Sequence, residues 1–123
     1  MNSKRSRSDE LIDRTKQFAI RVVKMYSALP KDMVAQTLGK QALRSGTSVG
    51  AHCREARRAR STAEFVSKLN GALQEIDETA YWLELLVESG LVPQSRMTSL
   101  SQEAEELTAI LTTVVKQQRQ RNS

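Results

Sequence analysis

From Leu11 onward, apolar and small residues recur at spacings of four and three, and the rhythm restarts three times to give four stripes. That spacing places one side chain per turn along a single face of an α-helix. Leu11, Thr15, Phe18, Val22, Met25 and Leu29 carry the first stripe. Leu38, Ala42, Ser45, Val49, His52, Ala56 and Ala59 carry the second. Phe65, Leu69, Ala72, Ile76, Ala80, Leu83 and Val87 carry the third. The fourth is the cleanest: Met97, Leu100, Ala104, Leu107, Leu111, Val114 and Gln118. No sustained alternation with a period of two competes, and no hairpin dipeptide separates apolar runs. The chain therefore reads as all-α.

Helix punctuation falls between the stripes. Ser8 is the expected N-cap of the first helix, with Asp9 and Glu10 suited to its first turn, and Pro30 stops it near Leu29. Ser61 and Glu64 form an S-x-x-E capping box ahead of Phe65, and the third helix begins there. Gly90, Leu91, Val92 and Pro93 read as a helix stop with an apolar wrap. Connections near 30–32, 60–61 and 90–94 are short enough to force successive helices antiparallel, which gives an up-down four-helix bundle over residues 9–119. A disordered basic arm is expected at residues 1–8 and a disordered tail at 120–123. The second helix is expected to run from Met33 to Arg60. Most of its stripe is small, so a neighbouring helix can approach closely. Gly46 and Gly50 beside the stripe each cost about 1 kcal/mol of helix propensity relative to alanine, which close packing would offset. Helices of roughly 30–40 Å leave much side surface, and self-association is expected.

The 123 residues suffice for one domain and one core. No apolar run approaches the roughly 20 residues needed to span a bilayer, and no secretory signal pattern is present. One cysteine cannot form an internal disulfide, so a reduced, cytoplasmic protein is expected. Charge is unevenly placed along the chain. Residues 1–31 hold eight Lys/Arg against three acids, and residues 32–61 hold six against two. Residues 62–90 reverse this with one against six, and residues 91–123 hold four against three. The basic half suggests a polyanion partner, or pairing with the acidic third helix within or between subunits.

The stretch SVGAHCREARRAR, Ser48 to Arg60, holds the sole histidine and the sole cysteine. His52 and Glu55 are three apart and could share a ligand, but a two-metal bundle site needs more histidines. Adjacent helical residues diverge by about 100°, so His52 and Cys53 do not form a catalytic pair. Neither metal nor cofactor is expected, and Cys53 reads as a small buried apolar residue. Lys40, Arg44, Arg54 and Arg58 fall on one face opposite the packing stripe, with Arg57 and Arg60 widening it. No aromatic is interleaved, so phosphate contact is favoured over base stacking. A merely solvated face, with arginines suited to a helix C-terminus, is the alternative. Glu75, Asp77, Glu78, Glu84 and Glu88 of the third helix form either a solvated face or half of an interface. Tyr81 and Trp82 sit among them.

Two longer stretches carry a resemblance. SGTSVGAHCREA (Ser45–Ala56) and EFVSKLNGALQEIDETAYWLELLVESGLV (Glu64–Val92) resemble the small four-helix-bundle proteins encoded in intervening sequences of bacterial large-subunit ribosomal RNA genes. Glu55 matches the glutamate that closes the family's second-helix motif. Glu64, Phe65, Leu69, Glu75, Glu78, Tyr81 and Leu83 match the third-helix motif. His52 stands where the family usually has asparagine. The resemblance spans about residues 10–118 and implies a ring-like homopentamer. It extends to relatives of the accessory variability determinant of diversity-generating retroelements, which implies association with nucleic acid and reverse transcriptase. No catalytic residues come with it. The expectation is a non-enzymatic, oligomeric, RNA-favouring nucleic-acid-binding bundle, with a protein-interaction scaffold or reverse-transcriptase accessory subunit as the alternative. His52, Glu55, Glu75, Glu78 and Tyr81 are expected to serve as structural or interface positions.

Overall fold

The computed structural model describes residues 6–121, which form four helices and no strand: α1 (Arg7–Ser27), α2 (Met33–Arg57), α3 (Thr62–Glu88) and α4 (Gln94–Arg121). The first five and last two positions of the expected arm and tail lie outside the described residues, while Arg7, Ser8, Gln120 and Arg121 are helical. Ser6, not Ser8, caps α1. Its backbone is extended, and its hydroxyl accepts the Asp9 N–H at 3.0 Å. Asp32 caps α2 by accepting the Ala35 N–H at 2.9 Å. That helix ends at Arg57, three residues before the expected Arg60, where the chain tightens through bonds from Arg58 N–H to Glu55 O and from Ala59 N–H to Ala56 O. Ser61 caps α3 by accepting the Glu64 N–H at 3.0 Å, but the Glu64 carboxylate reaches past it to the Arg60 N–H at 2.8 Å. The capping box is thus displaced by one residue on its return bond. After α3, Gly90 takes φ +76°, and the N–H groups of Leu91 and Val92 both turn back to Leu86 O, at 3.0 and 3.2 Å. This left-handed step satisfies an orphan helix-end carbonyl and folds Val92 into the core, as the Gly-Leu-Val-Pro sequence predicted.

Consecutive helices run antiparallel. Across α1 and α2, Thr15 faces Gly50, Val22 faces Gly46 and Leu29 faces Gly39, one series rising as the other falls. Ser45 meets Thr79 and Glu55 meets Lys68 across α2 and α3. The bundle closes where Arg7, Arg14 and Arg21 of α1 meet Gln117, Glu103 and Ser99 of α4. This α1–α4 seam is the least closely packed of the four neighbouring pairs.

The core holds Phe18, Val22, Val49, Leu69, Ile76, Leu83, Leu86, Leu107 and Leu111, all essentially without solvent contact. The α1 and α4 stripes match expectation closely, with Val115 added and Met25 and Gln118 half-buried. In α3 the buried face is Val66, Leu69, Ala72, Ile76, Thr79, Leu83 and Leu86, so Phe65, Ala80 and Val87 are only half-buried. In α2 the seam is Ala35, Gly39, Ala42, Ser45, Gly46, Val49, Cys53 and Ala56, which moves Leu38, His52 and Ala59 to its edges. Small residues there have a geometric cause. A Cβ at Gly46 would lie 2.9 Å from both Cγ atoms of Val22, closer than packed carbon atoms approach. The three fully buried polar side chains are all satisfied. Thr15 donates to Leu11 O at 2.8 Å, and the Ser45 and Thr79 hydroxyls meet across the core at 2.7 Å. Such bonded polar groups avoid the desolvation cost of orphans and fix the register of α2 against α3.

Candidate nucleic-acid interface

The interface rests on α2, because one face of that helix is committed to small-residue packing and the other is left to solvent. Lys40, Arg44, Arg54, Arg57, Arg58 and Arg60 are all exposed. Lys40 and Arg54 are fourteen residues apart, roughly 21 Å along the axis. The six fall into two groups. Arg44 points to α3, with Nη2 2.9 Å from Glu78 Oε1 and Nη1 3.6 Å from Glu75 Oε1. Arg57 points to α1, with Nη1 2.9 Å from Asp9 Oδ1. Hydrogen bonds from the Ser6 side chain and from Arg57 hold the Asp9 carboxyl below the usual aspartate range. Lys40, Arg54, Arg58 and Arg60 have no carboxylate in salt-bridge reach among the described residues. The stripe expected on one helix face is cut at its end, because α2 stops at Arg57: Arg58 caps the helix and Arg60 lies in the connection beyond it. Four of the six cations have no carboxylate partner among the described residues and two are shared.

His52, Glu55, Glu75 and Glu78 come together on the shoulder between α2 and α3. A zigzag of alternating groups runs from Lys68 Nζ to Glu55 Oε1 (3.3 Å), then to His52 Nδ1 (3.7 Å). From His52 Nε2 it continues to Glu75 Oε2 (3.8 Å), and through Arg44 to Glu78. Gly71 makes room for the imidazole: a Cβ there would lie 2.9 Å from ring atoms Cε1 and Nδ1. His52 is thus a half-buried shoulder residue, and Cys53 takes the seam position expected for it. Nδ1 of His52 and Oε1 of Glu75 are buried without a hydrogen bond among the described residues. Tyr81 stands apart, 53% exposed, with its ring set edge-on to Trp82 at 5.1 Å. No group of three or more His, Cys, Asp or Glu among the described residues is arranged to hold a metal ion. Burial pushes the Cys53 thiol up to about 11, which keeps it protonated and a poor nucleophile at neutral pH. No helix of the described residues is long and apolar enough to cross a membrane.

One charged feature escaped the sequence reading. Arg7, Arg14 and Arg21 are seven residues apart and all reach α4. Arg14 makes a two-pronged bond to Glu103, with both contacts at 2.8 Å, and a further one to Glu106 at 2.7 Å. That clasp raises the Arg14 pKa and holds the Glu103 carboxyl below the ordinary glutamate range. The seven-residue spacing was the available signal, but apolar periodicity alone defined the faces.

An antiparallel four-helix bundle with a basic outer face on its second helix and a mixed-charge shoulder between its second and third defines a class of small all-helical proteins. Residues 7–113 match the model of the 23S rRNA-intervening sequence protein family, and the chain belongs to that family. A solved structure from Bacteroides thetaiotaomicron VPI-5482, a protein of unknown function from the S23 ribosomal protein family, superposes with a TM-score of 0.84 at 38% identity. The match covers 90% of this chain and 99% of that one. No curated protein is significantly similar to the chain.

Proposed function

We propose that the chain is a non-enzymatic nucleic-acid-binding protein, RNA being the favoured ligand, that works in the cytoplasm as a ring-like homo-oligomer. The observation that carries this reading is the outer face of α2 and the connection after it, where Lys40 and Arg54 on the helix and Arg58 and Arg60 beyond its end have no carboxylate partner among the described residues. Arg44 and Arg57 flank them. Ion pairs between exposed side chains are weak, so a phosphate can compete with Glu78 for Arg44 and with Asp9 for Arg57. No aromatic lies on that stripe, which favours backbone contact over base readout. Exposed Met33, Val34, Ile20, Val23 and Tyr81 provide apolar surface for contact between copies, and repetition of the stripe around an oligomer would raise avidity. The pairing of Arg44 with two glutamates supports a second reading, in which this face docks an acidic protein such as a reverse transcriptase.

The test is fluorescence anisotropy with a structured RNA over a salt series. Affinity should fall with a log–log slope of roughly −0.7 to −0.9 per phosphate neutralised. Arg54→Gln with Arg58→Gln should weaken binding alike for unrelated sequences and flatten the slope, with helix content unchanged. Unaltered binding in that variant would refute the phosphate role and leave the protein-docking reading. Light scattering tests the oligomer, and a single species near 13.8 kDa would refute it.

A further inference from the structure

The loosest seam of the bundle is also a second basic surface, distinct from the α2 stripe. Two clefts lie along it on either side of the Arg14 clasp. One, of about 590 Å³, is lined by Met25, Leu29, Pro30, Leu91, Val92 and Leu100, and is rimmed by Arg21, Lys24 and Arg96 with no acidic residue in its lining. The other, of about 490 Å³, is lined by Leu11, Ala109, Ile110 and Val114, with Arg7 and Arg14 beside Glu10. Among the described residues Arg7 bonds the Gln117 side-chain carbonyl, and Arg21 bonds the Ser99 hydroxyl with the Glu103 carboxylate within electrostatic reach. Lys24 and Arg96 meet no carboxylate among the described residues. The seam thus offers an interrupted apolar floor whose edge cations outnumber its carboxylates: the cleft rimmed by Arg21, Lys24 and Arg96 has no acidic lining residue, while Glu10, Glu103 and Glu106 stand beside Arg7 and Arg14.

We infer that the α1–α4 seam is a docking groove for an acidic amphipathic helix of a protein partner. The apolar floor argues against a phosphate backbone, which would leave the half-buried Met25, Leu91 and Ile110 uncovered, whereas the leucine face of a helix would cover them. The cations supply the register. Arg7, Arg14 and Arg21 repeat every seven residues, roughly 10.5 Å along the axis, and a helix lying alongside presents carboxylates of a heptad at the same interval. Arg14, already held by Glu103 and Glu106, divides the groove into its two halves. Charge complementarity selects an acidic partner, with the cations steering approach and the apolar contacts holding the complex.

A fluorescein-labelled 21-residue peptide, with leucines on one helical face and flanking glutamates at seven-residue intervals, tests this against the full chain. A peptide of the same composition in scrambled order is the control. The ordered peptide should bind saturably, one per protomer, with a micromolar Kd and at least tenfold tighter than the scrambled one. Arg21→Glu with Lys24→Glu should weaken it at least tenfold, while Arg54→Gln with Arg58→Gln leaves it unchanged. Arg96→Glu, on the rim and outside the helix interface, serves if the double reversal fails to fold by circular dichroism. Equal binding of the scrambled peptide, or indifference to charge reversal in either variant, overturns the inference. So does a reversal that abolishes self-association while the peptide never binds, which assigns the seam to a second copy. Loss of RNA binding on the same reversal, with RNA displacing the peptide, also overturns it and assigns the seam to nucleic acid.

Discussion

Gly46 and Gly50 lie one turn apart on α2, yet replacing each with alanine should move stability in opposite directions. Alanine in a helix interior is favoured over glycine by about 1 kcal/mol. At Gly46 that gain meets Val22, whose Cγ atoms would lie 2.9 Å from the new Cβ and whose own Cβ would lie at 3.2 Å. Val22 is fully buried and β-branched, so it cannot swing aside within a helix. α1 must shift instead, and overpacking of that kind costs roughly 1–3 kcal/mol. Gly46→Ala should therefore be destabilising by up to about 2 kcal/mol. At Gly50 the nearest atoms are Thr15 Oγ1 at 3.3 Å and a backbone carbon at 3.6 Å. Only a few tenths of an ångström of adjustment are needed, so Gly50→Ala should stabilise by about 0.5–1 kcal/mol. Urea denaturation with an unchanged m-value measures both, and each kcal/mol should appear as about 3–6 °C in Tm. In a Val22→Ala background the Gly46→Ala penalty should vanish and the propensity gain emerge, as a double-mutant cycle would show. If Gly46→Ala alone is as stable as Gly50→Ala, close approach of α1 and α2 is not what requires glycine there.

Acid should loosen the α1–α4 seam. The Glu103 carboxyl is depressed chiefly by its bond to Arg14, so its contribution to stability is full above the ordinary glutamate range, near pH 4.3, and is lost as pH falls through the lowered folded value. Glu103→Gln should therefore reduce the loss of stability measured between about pH 5 and pH 3 by thermal melts, and an unchanged acid profile would contradict the assignment. The Cys53 thiol, buried and pushed up to about 11, should react with a disulfide reagent at pH 8 only as fast as the bundle opens. Labelling at the rate of a free thiol in native protein would contradict its burial.

The end of α1, the start of α3 and the break before α4 were legible because Pro30, Ser61, Gly90 and Pro93 have few roles other than punctuation, whereas Ser6 and Ser8 were equal cap candidates and nothing in Arg57-Arg58-Ala59-Arg60 marks where α2 stops. The α4 stripe was legible because its other face is nearly all polar. α3 was misphased by one residue at several positions because Phe65, Val66, Leu73, Leu85 and Val87 are apolar on several sides, and spacing cannot rank them. Thr79 won a core place over Ala80 through its bond to Ser45, a tertiary partner no local pattern reveals. His52 lost the seam to Cys53 because the smaller side chain fits between α1 and α2, while Gly71 opens space for the imidazole on the shoulder. The basic stretch was legible in the sequence, but neither its extent as a helix face, since α2 stops at Arg57 and leaves Arg58 and Arg60 beyond it, nor its set of free charges was. Pairing of Arg44 with Glu75 and Glu78, and of Arg57 with Asp9, depends on which helices become neighbours.

The closest packing in this bundle joins helices that follow one another in sequence, and only the weak α1–α4 seam joins its two ends. Local topology of that kind has low contact order and goes with folding in microseconds to milliseconds. The order of events follows from loop-closure entropy: hairpins of neighbouring helices form early, and the circuit closes last at the least rewarding contact. The same seam is then the cheapest to part in the native state, so amides of α1 and α4 that face it exchange through local opening while those at the α2–α3 centre wait for global unfolding.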